Sequence, residues 1–282
     1  MQISGVVILY HSDEEQVIRN IQSYLDYLNQ LIVFANSDCR KIFVERMKTL
    51  SPKIIFIANP QNEGIAKPLN KALQIAGNQN QWLLTMDQDS SFNPAQVTAY
   101  FKAFNRHFYR TKDVAIVCPN HTAQKQSTTN DEYKETIRAI TSGSIINTKI
   151  CQKLGGFDEK LFIDDVDLEY CYRCVVTGYK IIQFPNIFLN HALGTQKQAG
   201  YFSVFKKSGR SLHSPFRIYF MVRNFLYVSL KYKKYLPQEI KQRRKGLLVM
   251  LKNNLLFSGK FFAVLVAAIK GYLHFKFNKF SS

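Results

Sequence analysis

Short apolar runs alternate with amphipathic stretches over the first 90 residues of the chain. Four runs of bulky and β-branched residues have no polar face, which is typical of buried strands. They cover residues 3–10, 31–35, 53–58 and 82–86. Between them, apolar residues recur at helical spacing, as at Val17, Ile21 and Leu25. Strands that alternate with helices predict βαβ units, so we expect an α/β fold with a mostly parallel, right-handed wound sheet.

The same two patterns continue further along the chain, with longer polar interruptions. They predict a helix over residues 94–109 and a loop over residues 120–135. They also predict three strands, over residues 114–118, 142–147 and 179–184. An acidic stretch that begins near residue 161 opens a further helix, which we expect to end near Val176. We therefore divide the chain into an α/β domain of residues 1–214 and a helical extension of residues 215–282.

Positive charge is concentrated in the carboxyl-terminal part of the chain. The 282 residues include 38 Lys and Arg and 20 Asp and Glu, which gives a formal net charge of +18. Residues 1–200 carry 21 basic and 19 acidic side chains, whereas residues 201–282 carry 17 basic ones and Glu239 alone. The apolar stretches 247–256 and 261–269 lie among these charges and are too short to cross a bilayer. This pattern favours helices lying on an anionic membrane surface, while a helical pair packed on the first domain remains the alternative.

The cysteines and the amino-terminal sequence bear on the compartment. No basic and apolar leader opens the chain, and five cysteines, an odd number, favour reduced thiols. Cys171 and Cys174 form a C-x-x-C pair without a second pair or a histidine close to it in sequence, so it does not indicate a metal site. We expect a cytoplasmic protein that is peripheral at the inner face of the cell membrane.

Two aspartates stand where the fourth predicted strand ends. Asp87 and Asp89 follow its apolar run, and residues i and i+2 of an extended segment point to the same side. Ligands of open α/β sheets bind at the carboxyl ends of the strands, and paired carboxylates there suit a hard divalent cation that also holds a phosphate. A turn or a helix cap would use the same residue types, because Asn93 and Pro94 open a helix shortly afterwards.

The two common glycine motifs for phosphate binding are absent from the sequence. No G-x-G-x-x-G follows the first strand and no G-x-x-x-x-G-K-[ST] occurs, which argues against a dinucleotide enzyme and a P-loop NTPase. A nucleotide would instead be held by polar loop residues, namely Tyr10, His11, Asn36, Asn62 and Gly64. In the extension, Arg223 lies on a predicted helix from which it would reach phosphates.

A second acidic cluster opens the helix that we predict near residue 161. Asp164, Asp165, Asp167 and Glu169 would lie in its first turns, where the helix dipole favours acidic side chains. Four like charges in so short a stretch also repel one another, so the cluster exceeds what capping requires.

In this order and spacing the motifs resemble one known family. They are the strand that ends at Tyr10, the loop at Asn36, Asn62-x-Gly64 with Asn70, Met86-Asp87-Gln88-Asp89-Ser90, Gly155-Gly156-Phe157-Asp158, Asp164-Asp165-Val166-Asp167 and His191. Over about residues 3–194 the chain resembles the inverting glycosyltransferases of family 2, which have the GT-A fold. The form Asp-Gln-Asp-Ser, together with Phe162-Ile163-Asp164, is most similar to the bacterial rhamnosyltransferases, which build surface polysaccharides from dTDP-L-rhamnose.

The resemblance implies a role for each acidic residue of these motifs. Asp89, with Asp87 and His191, would bind Mg²⁺ or Mn²⁺ on the donor diphosphate, and Asp87 would also lie near the ribose or the sugar. Asp165 would be the general base that deprotonates the acceptor hydroxyl, with Asp164 as the alternative. Asn70 would join the residues of the nucleotide-sugar site.

The implied partners are a nucleotide-diphosphate sugar donor, a saccharide or lipid-linked acceptor and an anionic membrane surface, with no nucleic acid. Two other classes compete with a glycosyltransferase. A nucleotidyltransferase usually has a glycine-rich basic loop after the first strand, where this chain has Tyr10-His11-Ser12-Asp13. A basic nucleic-acid-binding protein would explain the extension, but it would leave Asp87, Asp89 and Asp165 facing phosphates of the same sign.

Overall fold

The part of the chain that the structure describes forms two compact units. The structure is a computed structural model, and it describes residues 2–77, 81–120, 132–191 and 212–280. One unit, called the sheet unit, contains the described residues up to Glu159 together with residues 166–191. The other, called the helical unit, contains Lys160–Asp165 and residues 212–280.

The sheet unit is built on eight strands, and two further short strands form a separate ladder. The sheet contains β1 (Ile3–Leu9), β2 (Gln30–Ala35), β3 (Ile54–Ala58), β4 (Trp82–Asp87), β6 (Val114–Asn120), β7 (Lys134–Thr136), β8 (Ser144–Asn147) and β9 (Lys180–Phe188). The ladder contains β5 (Ser90–Ser91) and β10 (Asn190–His191).

The strands of the sheet lie in the order β3-β2-β1-β4-β8-β6-β9-β7. Strands β3, β2, β1 and β4 are parallel, as are β6 and β9. Strand β8 is antiparallel to both β4 and β6, and β7 is antiparallel to β9. The central parallel strands are covered on both faces, since every residue of β2 is buried. The expected α/β fold with a mostly parallel sheet is therefore confirmed, and its antiparallel pairs all involve β7 or β8.

Six helices of the sheet unit connect these strands. They are α1 (Glu14–Gln22), α2 (Lys41–Leu50), α3 (Ala66–Gly77), α4 (Pro94–His107), α5 (Thr148–Lys153) and α6 (Val166–Val176). Helix α4 begins where its sequence predicts, because Asn93 accepts a hydrogen bond from the Ala95 amide and Pro94 occupies the first helical position. Its buried face packs on the sheet, where the Phe104 ring meets Trp82 edge to face at 5.0 Å.

Two local expectations differ from the structure. Strand β7 forms inside the predicted polar loop 120–135, of which residues 121–131 lie outside the described part. Its pattern is polar because its three residues lie at the end of the sheet order and none is buried. Helix α6 begins at Val166 rather than near residue 161. The reason is that Asp164 and Asp165 have left-handed backbone angles, with φ of 61° and 63°, which a right-handed helix excludes.

The helical unit contains three long helices, α7 (Pro215–Tyr232), α8 (Pro237–Phe257) and α9 (Phe261–Lys276). Ile218 and Val222 of α7 pack against Val264 and Ala267 of α9. The two helices approach closely at Gly271, where a Cβ atom would lie 2.6 Å from the Tyr219 carbonyl oxygen. Among the described residues, no helix has both the length and the apolar character needed to span a membrane.

Candidate active site

The carboxyl end of β4 carries the first pair of candidate residues. Asp87 is the last residue of β4, and Gln88 and Asp89 form the turn into β5. The side chain of Gln88 is bound to the end of β1, since its Oε1 accepts the Tyr10 amide at 2.8 Å and its Nε2 donates to the Tyr10 carbonyl at 3.2 Å. Asp87 and Asp89 are both partly exposed. The turn expected as an alternative is thus present, and it presents two carboxylates at the strand end.

The third candidate metal ligand joins this turn through the backbone. Strand β10 pairs with β5 in antiparallel register, with Asn190 opposite Ser91 and His191 opposite Ser90. Because Ser90 directly follows Asp89, the ladder brings the backbone of His191 next to the acidic turn. Segments that are about one hundred positions apart in sequence are thus paired through their backbones, and the role of His191 as a metal ligand stays a prediction.

This turn fits a divalent cation that is shared with a substrate. Among the described residues, no group of three or more His, Cys, Asp or Glu side chains is arranged to hold a metal ion by itself. Magnesium in phosphate-transferring sites usually takes only one or two protein carboxylates and completes its shell with substrate phosphates and water. Asp87 and Asp89 provide such a partial, oxygen-only ligand set.

The loops after β2 and β3 are held together by Asn36, which is 2% exposed. Its Nδ2 donates to the Gly64 carbonyl at 2.7 Å and to Asn62 Oδ1 at 3.2 Å, and its Oδ1 accepts the Glu63 amide at 3.0 Å. Gly64 has a φ of 75°, which favours glycine. The candidate nucleotide residues Asn36, Asn62 and Gly64 are thus brought together, and Asn36 shapes the loop from inside.

The loop after β1 presents an aromatic surface. Tyr10 is 47% exposed, and its ring lies edge-on to the His11 ring with centroids 4.3 Å apart. The His11 amide donates to Ser37 Oγ at 3.0 Å, which ties this loop to the loop after β2. An exposed ring at the carboxyl end of a parallel strand is suited to stack on a nucleotide base.

Asn70 of α3, the remaining residue predicted for the nucleotide-sugar site in the sheet unit, contacts the turn around Phe157. Its Oδ1 accepts the Phe157 amide at 2.7 Å, and its Nδ2 donates to the Phe157 carbonyl at 2.9 Å and to Glu159 Oε1 at 2.8 Å. A Cβ on Gly156, whose φ is 74°, would lie 2.6 Å from Asn70 Oδ1. The amide of Asn70 therefore fixes the Gly155-Gly156-Phe157 turn, which explains why this motif needs glycine.

Asp164 and Asp165 belong to the helical unit. Arg217 of α7 donates to Asp164 Oδ1 from Nη2 at 2.9 Å and from Nε at 3.1 Å. Arg243 of α8 donates from Nη2 to Asp165 Oδ1 at 2.5 Å, and Asp165 is 9% exposed. The two candidate bases are thus adjacent in sequence but have separate arginine partners on separate helices.

Arg223 lies inside the helical unit, where it is 0% exposed. Its Nη2 donates to the Lys160 carbonyl at 3.0 Å, its Nε donates to Asn224 Oδ1 at 3.0 Å, and its guanidinium lies over the Phe220 ring at 4.8 Å. Desolvation by burial lowers the pKa of Arg223. The structure therefore gives Arg223 a structural position within its unit in place of the expected reach towards phosphates.

Sequence reasoning missed Arg243. In the sequence Arg243 is one of many basic residues of the extension, and its partner Asp165 lies 78 residues earlier. The Arg243 side chain is largely buried, whereas Arg244 beside it is exposed. This difference in burial sets Arg243 apart, but it cannot be read from the sequence.

The cysteines do not contribute to this site. All five are free thiols, and burial raises the pKa of Cys118, Cys151 and Cys174 to about 12. A thiol that stays protonated at neutral pH is a poor nucleophile. Both cysteines of the C-x-x-C pair are buried in the sheet unit.

Comparisons with known proteins agree with this arrangement. The sequence profile described as Glycosyl transferase family 2 matches residues 4–165, which is more than half of the chain. The dTDP-rhamnosyl transferase RfbF of Shigella flexneri is 24% identical over 246 residues, which cover 79% of this chain and 78% of the relative.

Two solved structures share the fold at low sequence identity. The mannosyltransferase PcManGT of Pyrobaculum calidifontis, solved with GDP-Man and Mn²⁺, has a TM-score of 0.59 and 13% identity, with 99% of this chain and 88% of that one covered. GalNAc-T7, solved with UDP, GalNAc and Mn²⁺, has a TM-score of 0.63 and 13% identity, with 86% of this chain covered. This chain spans about half the length of GalNAc-T7. These likenesses confirm the expected GT-A fold, and with the profile match they show that the chain belongs to glycosyl transferase family 2.

Proposed function

We propose that this glycosyltransferase moves L-rhamnose from dTDP-L-rhamnose to a hydroxyl of a saccharide or lipid-linked acceptor, with inversion at the anomeric carbon. The observation that carries the proposal is the acidic turn Asp87-Gln88-Asp89, which the β5–β10 ladder joins to His191 at the carboxyl end of β4. The choice of rhamnose is supported by the relative named as a dTDP-rhamnosyl transferase, which aligns over most of both chains.

The donor would lie at the loops that follow β1, β2, β3 and β4. Tyr10 offers an exposed ring for the base, and Asn36 shapes the loop that contains Asn62 and Gly64. Asp89, with Asp87 and His191, would hold Mg²⁺ or Mn²⁺. When bound, that ion neutralises the negative charge that develops on the departing nucleoside diphosphate.

The acceptor would be activated by a carboxylate of the pair Asp164 and Asp165. In the proposed step the acceptor oxygen attacks the anomeric carbon, its proton passes to Asp165, and the bond to the diphosphate oxygen breaks with its electron pair. Both candidate carboxylates are paired with an arginine, Asp164 with Arg217 and Asp165 with Arg243. We assign the base to Asp165, as the family resemblance implies, with Asp164 as the alternative. Release of dTDP from dTDP-L-rhamnose in the presence of Mn²⁺ is the experiment that tests this function.

We further propose that the helical unit docks on an anionic membrane surface. The face of α9 opposite α7 exposes a continuous apolar stripe at helical spacing, formed by Phe261, Phe262, Leu265, Val266, Ile269, Tyr272 and Leu273. Exposed lysines flank it, at Lys260, Lys270 and Lys276. An apolar face bordered by cations matches the interface of a bilayer that carries acidic lipids, where each lysine contributes about 1 kcal/mol.

Sedimentation with vesicles tests this surface. We expect the full chain to sediment with phosphatidylcholine–phosphatidylglycerol vesicles, and high salt to release only part of it, since salt screens charge but not apolar burial. The triple variant Phe262→Ser, Val266→Ser, Ile269→Ser should bind at least about tenfold more weakly, because it removes three large apolar side chains from the interface.

Leu230→Ser is the matched control, because Leu230 is 59% exposed but lies on α7, away from the stripe in sequence. Equal sedimentation of the triple variant and the unchanged full-length protein would contradict the proposed docking surface. Binding of the full chain to DNA but not to these vesicles would instead favour a nucleic-acid partner.

A further inference from the structure

The segment that carries both candidate bases is organised by the carboxyl-terminal helices. Within the helical unit, the Lys160 carbonyl accepts a hydrogen bond from Arg223 at 3.0 Å. The carbonyls of Ile163 and Asp164 both accept from Asn224 Nδ2, at 2.7 and 3.0 Å. Two neighbouring residues of α7 therefore fix the backbone of the acidic segment, defined as Lys160–Asp165.

Side chains of the acidic segment are fixed by the same helices. The Phe162 ring stacks on Phe220 of α7, with centroids 5.2 Å apart and planes 20° apart. Arg217 forms an ion pair with Asp164, and Arg243 forms one with Asp165. In the second pair the Arg243 side chain is 14% exposed and the Asp165 side chain is 8% exposed. The Arg243 guanidinium also lies over the Phe225 ring at 5.4 Å, so its own position is set by packing.

The backbone at these two aspartates is strained. Consecutive φ values of 61° and 63° place two non-glycine residues in the left-handed region, which few non-glycine residues adopt. Such a conformation persists only where surrounding contacts over-determine it. In this segment those contacts are the amide of Asn224 and the guanidinium groups of Arg217 and Arg243.

We propose that Arg243 is a positioning residue for catalysis: its ion pair with Asp165 aims the carboxylate that accepts the acceptor proton. The inference rests on the proposed function, in which Asp165 is the base. It gives the helical extension a catalytic task in addition to membrane docking. The residue that performs it lies beyond residue 165, where the family match ends.

Turnover of Arg243 variants tests the proposal, measured as dTDP release from dTDP-L-rhamnose with Mn²⁺ and a bacterial lipid extract as acceptor source. We expect Arg243→Gln to lower kcat by about 10- to 100-fold, since displacement of a catalytic group by about 1 Å can cost 10²-fold. The KM for the donor should change by less than about threefold, because the donor residues lie on other loops. Arg244→Gln, at the exposed neighbouring position, should keep the kcat of the unchanged protein.

A double variant distinguishes positioning from a general loss of structure. If Arg243 acts through Asp165, then Arg243→Gln combined with Asp165→Asn should be no slower than Asp165→Asn alone. A merely structural role would lower the rate of the double variant further. Arg243→Lys keeps the charge and most of the stem but lacks the planar fork, so it provides a second readout, with an expected kcat loss of several-fold, if the glutamine variant does not fold.

Three results would overturn the inference. The first is an unchanged kcat in whichever Arg243 variants fold, as judged by their thermal melts. The second is a kcat loss in the double variant that equals the product of the losses in the two single variants. The third is full activity of Asp165→Asn, which would reject the assignment of the base together with this inference. A slow Asp165→Asn variant combined with a normal Arg243→Gln variant would reject the inference alone.

Discussion

The variant Asp165→Asn should lose at least about 10²-fold in kcat, which is within the usual contribution of a general base. Asparagine has the same shape and tolerates the left-handed conformation that Asp165 adopts, so it adds little backbone strain. Its amide cannot accept the proton of the attacking hydroxyl. Donor binding should persist, because the residues assigned to the nucleotide base and the diphosphate lie on the loops after β1, β2, β3 and β4.

The measurement combines steady-state kinetics with donor titration by calorimetry. Asp164→Asn is the matched control, since Asp164 has the same backbone conformation and is also paired with an arginine. If Asp164→Asn is slow while Asp165→Asn turns over normally, the base has been assigned to the wrong member of the pair.

The variant Asp89→Ala should reduce transfer by roughly 10³-fold. A divalent ion on the diphosphate supplies several kcal/mol of charge stabilisation, and this variant removes one of the three assigned ligands. The fold should remain intact, because the core of β4 comes from buried residues such as Trp82 and Leu84, whereas Asp89 lies in a partly exposed turn. Turnover and thermal melting of the purified variant check both parts of this expectation.

Asp26→Ala is the control, because it removes an exposed aspartate that lies outside every candidate site. Activity of the unchanged protein should also disappear in excess EDTA and return when Mn²⁺ is added. Undiminished turnover in excess EDTA would remove the metal role assigned to Asp89, Asp87 and His191.

Much of the fold was predictable because it depends on local periodicity. The four strands that form the parallel half of the sheet are continuous apolar runs, and their bounds agree with the sequence pattern within one or two residues. Strand β7 was not predictable, because its three residues have a polar pattern and their pairing with β9 depends on the rest of the sheet.

The motifs of the candidate site are visible in the sequence, but the contacts of their side chains are not. The backbone pairing of His191 with Ser90 depends on the tertiary structure. By contrast, Asn36 and Asn70 use their amides to hold loops, and Asp165 pairs with an arginine 78 residues away. Asparagine and arginine side chains serve ligands or backbone equally well, so only the tertiary structure tells which partner each one has.

The most direct test of the account is donor turnover by the full chain. The protein is incubated with Mn²⁺, a bacterial lipid extract and, in separate reactions, dTDP-L-rhamnose, GDP-mannose or a UDP-sugar, and the nucleoside diphosphate released is measured. We predict release of dTDP from dTDP-L-rhamnose well above the other two donors, and its loss in Asp165→Asn. Preferential release from another donor would contradict the assignment of rhamnose, and no release from any donor would contradict the proposed sugar transfer.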